Sequence, residues 1–164
     1  MSTQDNLKAA FAGESQANRK YLAFSEKAKK EGFDKVGRLF QAVAEAETIH
    51  ALKHFNLMGG VNSTLDNLQA AAGGEQHEFE EMYPAFIAEA KEEGVQRVDS
   101  AFHMANEAEK VHYELYNKAI EAVEKGQDFP AEEFALCPVC GYVGEEVPDR
   151  CPICGAPAAV FKKY

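Results

Sequence analysis

Part of this 164-residue chain occurs twice. Ala28-Lys-Lys-Glu-Gly32 returns as Ala90-Lys-Glu-Glu-Gly94, Phe40 as Phe102, Glu45-Ala46-Glu47 as Glu107-Ala108-Glu109, and His50 as His112, all at an offset of 62 residues. Tyr21 matches Tyr83 at the same offset, but Gly13-Glu14 matches Gly74-Glu75 at 61. A duplicated segment restricts the fold to two copies of one supersecondary unit with pseudo-two-fold symmetry. The one-residue slip falls beside Pro84 and predicts a π-bulge or kink over 75–84.

Each copy reads as two helices. Residues 3–31 are rich in Ala, Lys, Glu, Gln and Leu and stop at Gly32. A second helix, capped by Asp34, runs to about Met58 and stops at Gly59-Gly60. A third runs over about 75–93 and a fourth over about 96–125, with apolar residues at helical spacing (Leu39, Phe40, Val43, Ala46; Phe102, Ala105, Ala108, Val111). Residues 59–74 read as a long connection. Two tight links and one long one predict an all-α four-helix bundle with a long crossover.

Five of the six prolines, and all four cysteines, lie at or after Pro130. Gly126-Gln127-Asp128-Phe129-Pro130 reads as a helix stop and linker. The expected modules are therefore 1–130 and 131–164. A net charge of -10 argues against nucleic-acid or anionic-membrane partners. No apolar run approaches the ~20 residues of a membrane span, and the first residues lack the basic start and apolar core of a secretory signal. The expected compartment is the cytoplasm, where four cysteines point to metal binding or catalysis before disulfides.

Glu47-x-x-His50 and Glu109-x-x-His112 each place two ligand side chains on one helix face. Chance alone supplies some Glu-x-x-His pairs, so position matters more. At ~1.5 Å per residue, Glu14 and Glu75 lie ~27 and ~28 Å before their hairpin glycines, and Glu47 and Glu109 both lie ~23 Å after them. In antiparallel hairpins the four carboxylates share one level, among apolar neighbours such as Phe11, Val43, Ala108 and Val111. Burying bare charges costs several kcal/mol each, and two divalent cations remove that cost. One Glu from each of two helices plus Glu-x-x-His from each of the others is the ligand set of di-iron and di-manganese carboxylate bundles. Oxygen and imidazole donors suit iron or manganese.

Glu78, one turn beyond Glu75, is either a fifth carboxylate ligand or a solvated glutamate beside Glu80 and Glu81. Ala17 stands at the matching position of the first copy. As a ligand, Glu78 makes the two metals inequivalent and allows an exchange in which it replaces His50. Tyr21 and Tyr83 are either hydrogen-bond donors to ligating carboxylates or ordinary core tyrosines. His54 and His77 lack an acidic partner three residues earlier and read as structural or surface groups.

Cys137-Pro-Val-Cys140-Gly and Cys151-Pro-Ile-Cys154-Gly form two metal-clamping turns. Four thiolates select zinc or iron, and spacing does not separate the two. So short a segment needs its metal to fold.

In this ordered set of motifs the chain resembles the rubrerythrins over essentially its whole length. The matching segments are Phe11-Ala-Gly-Glu14-Ser-Gln, Ala44-Glu-Ala-Glu47-Thr-Ile-His50, Gly74-Glu75-Gln-His-Glu78 leading to Met82-Tyr83-Pro84, Glu107-Ala-Glu109-Lys-Val-His112 and the two cysteine turns. The resemblance implies a ferritin-like di-iron bundle followed by a rubredoxin-like domain with one iron on four thiolates. It implies that Glu14, Glu47, His50, Glu75, Glu78, Glu109 and His112 hold the di-iron centre, with Glu47 and Glu109 bridging and Glu78 and His50 exchanging at one iron. It favours a role for Tyr21 and Tyr83 beside the ligands, and iron in the tail, with zinc in some preparations. It also implies an NAD(P)H-linked peroxidase that reduces hydrogen peroxide to water in oxidative-stress defence. Electrons would reach it through a rubredoxin or flavoprotein reductase, since the chain lacks a Gly-x-Gly-x-x-Gly stretch for NADH.

A tail beyond a ~35 Å helix falls short of its own bundle's middle if it continues outward. The expectation is therefore a homodimer in which each tail serves its partner, with helix exchange open. The competing classes are iron handling by ferroxidase chemistry and storage, and a metal-stabilised sensor with zinc in the tail. Cysteine-rich redox tails are superfluous for the first, and the metal held by the tail separates the second.

Overall fold

A computed structural model describes residues 2–164. Met1, the first residue of the expected 1–130 module, lies outside them. The chain is all-α with a small C-terminal metal-knuckle tail. It forms two compact units, 1–62 and 63–164.

The first unit is a hairpin of α1 (Thr3–Lys30) and α2 (Asp34–Leu57). Ser2 and Asp5 close a reciprocal capping box at its start. At the turn the Phe33 amide donates to the Ala28 carbonyl at 2.9 Å. The expected Asp34 cap is not made: Phe33 holds the cap position without a side-chain bond, and Asp34 is the first helical residue. The seam between the helices consists of small residues. Ala28, Gly37, Ala44 and Ala51 are buried, and Ser25 Oγ donates to the Gly37 carbonyl at 2.7 Å. A methyl group on Gly37 would meet Lys29 Cγ at 2.7 Å. Large apolar side chains are left outside this narrow seam, and Leu39 and Ile49 are each 63% exposed.

The second unit begins earlier than expected. α3 spans Thr64–His77, so most of the presumed loop is helix and the link shrinks to residues 58–63. Ser63 caps the new start by accepting from the Asp66 amide at 3.2 Å. Gly73 and Gly74 are carried inside the helix on a run of good helix formers, at a local cost of about 1 kcal/mol each. A π-turn, Glu78–Met82, continues into α4 (Tyr83–Glu92). This is the bulge implied by the repeat slip: one extra residue is absorbed just before Pro84, which has no amide hydrogen to give. α5 (Gln96–Glu124) completes the hairpin, and its turn copies the first, with the Val95 amide donating to Ala90 at 2.9 Å.

The tail folds as β1 (Ala135–Leu136), β2 (Val143–Gly144), a short 3-10 turn (Ala158–Val160) and β3 (Lys162–Lys163), in strand order β2-β1-β3. By contact density it falls in one compact unit with the second hairpin, residues 63–164. The reason is that the chain reverses after Gly126. His112 lies ~20 Å back along α5 from Lys125, and ten extended residues reach ~30 Å or more. The tail therefore comes back over its own α5 and reaches it despite the ~35 Å helix, as the His112–Gly141 contact shows.

Candidate metal centres

Three groups of potential ligands stand out among the described residues: Glu14, Glu47 and His50; Glu75, Glu109 and His112; and Cys137, Cys140, Cys151 and Cys154. Within each group the ligand atoms lie within 4.8 Å of one another.

In the first hairpin, α1 supplies Glu14 and α2 supplies Glu47 and His50. The helical i,i+3 spacing brings His50 Nδ1 to 3.1 Å from Glu47 Oε2. Both glutamates are half-buried, but the His50 side chain is 56% exposed.

In the second hairpin, α3 supplies Glu75 and α5 supplies Glu109 and His112. His112 Nδ1 lies 2.7 Å from Glu109 Oε2 and 3.5 Å from Glu75 Oε2. Its other nitrogen, Nε2, donates to the Gly141 carbonyl at 2.9 Å, and the ring is 22% exposed. Burial, a hydrogen bond with Glu109 and that neighbour's charge push the Glu75 carboxyl up to about 7. The His112 hydrogen bond holds Glu109 below the usual carboxylate range despite burial, and the same bond raises His112. The two carboxylates thus titrate as a pair, with Glu75 the one that keeps a proton more readily. A cation replaces that proton, so the donor set fits a metal.

Glu78 belongs to neither group of three, yet it is half-buried at the start of the π-turn. Burial first, and the Glu109 charge second, raise its pKa. Tyr83 is raised by burial and then by the charges of Glu109, Glu78 and Glu75, so its phenol senses the same acids. Its ring packs with Phe86 and Phe102 at 6.3 and 6.0 Å. The first hairpin repeats the cluster with Tyr21, Phe24 and Phe40.

Two residues of this region escape sequence reasoning. Tyr116, one turn beyond His112, has its pKa raised by burial and by the charges of Glu75 and Glu109. It lines an apolar cavity of about 330 Å³ with His112, Leu68, Phe129, Phe134 and Val143. Its i,i+4 spacing from a ligand histidine was an available signal. Gly141 carried no such signal, because its role belongs to a backbone carbonyl. His77 pairs with Glu81 at 3.4 Å on the surface, as expected of a surface group.

In the tail, Cys137 Sγ lies 3.6 Å from Cys154 Sγ, and Cys140 Sγ lies 3.4 Å from Cys151 Sγ. Disulfides require about 2.05 Å. A tetrahedron of ~2.3 Å metal–sulfur bonds has edges of about 3.8 Å, so the spacing suits one ion. Gly141 and Gly155 turn the chain at φ of 86° and 74°, and their amides close each loop onto Cys137 and Cys151 carbonyls at 3.0 and 2.9 Å. Burial opposes the Cys151 thiolate, but backbone N–H groups of Cys154 and Ile153 outweigh it and pull its pKa down to about 7. Burial pushes the Cys140 thiol upward. A cation relieves that strain by taking all four as thiolates.

Carboxylate–imidazole groups on paired helices, joined to a four-thiolate knuckle, define a two-centre non-haem metalloprotein. The rubrerythrin family model matches residues 5–120, and that of the rubrerythrin rubredoxin-like domain matches residues 136–162. Rubrerythrin-2 of Clostridium acetobutylicum is 35% identical over 99% of this chain and 96% of its own length. Nigerythrin of Nitratidesulfovibrio vulgaris is 38% identical over 99% of this chain and 87% of its own. A solved mixed-valence nigerythrin, 39% identical, aligns with a TM-score of 0.58 over 100% of this chain and 87% of that one. The chain belongs to the rubrerythrin family. Its cofactors are a non-haem di-iron centre and a mononuclear iron on four thiolates, for which the donor groups above are present. No described helix is long and apolar enough to cross a membrane.

Proposed function

We propose that this chain is a cytoplasmic peroxidase that reduces hydrogen peroxide to water, drawing electrons through its four-cysteine iron from a rubredoxin or flavoprotein reductase linked to NAD(P)H. Glu14, Glu47, His50, Glu75, Glu78, Glu109 and His112 would hold the di-iron centre, with Glu47 and Glu109 as the carboxylates that would be shared by its two ions. When bound in the ferrous state, that pair supplies the two electrons that, with two protons, turn one peroxide into two waters.

The observation that carries the reading is the 2.9 Å hydrogen bond from His112 Nε2 to the Gly141 carbonyl. Gly141 follows Cys140, so one hydrogen bond joins a thiolate turn to a di-iron ligand. A storage protein has no use for that link. The same bond occupies Nε2 and orients the ring, leaving Nδ1, which lies 2.7 Å from Glu109 Oε2, as the nitrogen that would face the metal. His50 has the Glu47 contact and an exposed ring, which supports it as the ligand that would leave, with Glu78 as the carboxylate that would replace it. Tyr83, and Tyr21 in the other copy, donate phenolic protons to ligating carboxylates.

Exposed Leu39, Ile49 and Leu52 support assembly as a homodimer, with or without exchanged helices. Light scattering reads the mass of the particle, and replacing Leu39 and Ile49 by Gln should lower it.

The function is tested by titrating the anaerobically reduced, iron-loaded protein with peroxide and, separately, with O2. One peroxide should remove two electrons per chain, with both iron centres oxidised at excess. Oxidation by O2 but not by peroxide would replace the peroxidase with an oxidase. A colourless protein holding only zinc in the tail would remove the electron-transfer role.

A further inference from the structure

We infer that Lys118 is a positioning residue for electron transfer, clamping the four-cysteine knuckle onto α5 in the pose that brings the Gly141 carbonyl to His112. This rests on the proposed electron path through the knuckle. Lys118 follows His112 by less than two turns of α5. Its Nζ lies 2.5 and 2.6 Å from the two carboxylate oxygens of Glu145, the residue just after β2. The same ammonium lies 5.4 Å from the centroid of the Phe129 ring, in the linker that leads to β1.

One side chain therefore ties both the linker and the second strand to the helix. The clamp extends further through packing. Phe129 packs against Phe134 with tilted rings and centroids 5.0 Å apart, and Phe134 exchanges two 2.9 Å backbone hydrogen bonds with Tyr164 beside β3. Every strand of the small sheet is thus reached from Lys118.

The clamp is open to water on both sides, with Lys118 and Glu145 side chains 44% and 37% exposed. Such a pair adds little to global stability and weakens with salt. What it fixes is geometry. Two-residue strands give the knuckle little grip of its own, and the Gly141 bond fails if the knuckle rocks by an ångström or so. The repeat agrees with a role tied to the tail: Asn56 stands at the matching position of the first hairpin.

In the transfer this pose would serve, the four-cysteine iron, when bound, would give up one electron on going from ferrous to ferric, and one ferric ion of the pair would accept it, with no atom transferred. The test uses iron-loaded full-length protein. K118M keeps the aliphatic stem and E145Q keeps the shape, while K118R and the charge swap K118E/E145K serve as rescues. After reduced protein meets peroxide, K118M should slow oxidation of the thiolate iron at least tenfold, with the di-iron phase, metal content and thiolate-iron reduction potential unchanged. Amide hydrogen exchange over residues 141–146 of the oxidised resting protein should quicken at least tenfold in K118M and E145Q. K118R and the swap should bring both readouts back to within about threefold of the parent. Raising salt should move the parent toward K118M and leave K118M where it is.

Exchange and rate within twofold of the parent in K118M would overturn the inference, as would a swap that rescues neither. If peroxide fails to oxidise the parent's thiolate iron, the electron path fails, and exchange over 141–146 still decides whether Lys118 clamps the knuckle.

Discussion

The two hairpins carry the same ligand trio and treat its histidine differently. In α1–α2, His50 touches Glu47 and faces outward. In the hairpin of α3, the π-turn, α4 and α5, His112 is gripped at Nδ1 by Glu109 and at Nε2 by Gly141 of the tail. The two copies of the trio thus differ in what holds the histidine: in the second, the tail's backbone supplies an additional acceptor.

Removing the knuckle's metal is the strongest way to break this contrast. Cys137→Ser should eliminate the thiolate iron and its red colour and melt the tail, because so small a segment depends on its metal. Helix content of both hairpins should survive by circular dichroism. Next in size, Glu109→Ala should empty at least one di-iron position by metal analysis; two tightly held irons would contradict its place as a bridge. The two histidines should then separate. His112→Ala should slow thiolate-iron oxidation at least tenfold, while His50→Ala should leave that link intact and alter the di-iron spectrum instead.

A pH experiment sharpens the contrast on metal-free protein. Glu75 is raised to about 7 in the folded state, so its contribution favours folding in the acidic range and is lost as pH rises from the ordinary carboxylate range through about 7. Chemical denaturation should show the apo second unit losing stability over that window, and metal loading should reverse the trend, since a cation takes the proton's place. Tyr83→Phe should have the smallest effect. Loss of the proposed phenolic donor should cost about 1 kcal/mol, a several-fold change in rate, without loss of metal.

Much of this contrast was legible before any coordinates. The 62-residue repeat announced the hairpins and paired their ligands, and its one-residue slip located the π-turn at Glu78–Met82. α3 escaped notice because Gly73-Gly74 resembles a break, whereas the Ser63 cap and the alanine-rich run before the glycines outweigh it. The return of the tail escaped for a different reason. Its contacts are a backbone carbonyl at Gly141 and a long-range pair, Lys118–Glu145, and neither leaves a periodic trace in sequence. Composition marks the change of module near residue 130, and those contacts hold the tail in one compact unit with the second hairpin.

The most direct test follows the two iron centres separately after rapid mixing of fully reduced protein with peroxide at several protein concentrations. The di-iron bands should appear first, and the thiolate-iron band should follow at a first-order rate that does not change with protein concentration. A thiolate iron that stays reduced, or one oxidised at a rate proportional to protein concentration, would show that the Gly141–His112 contact carries no electrons.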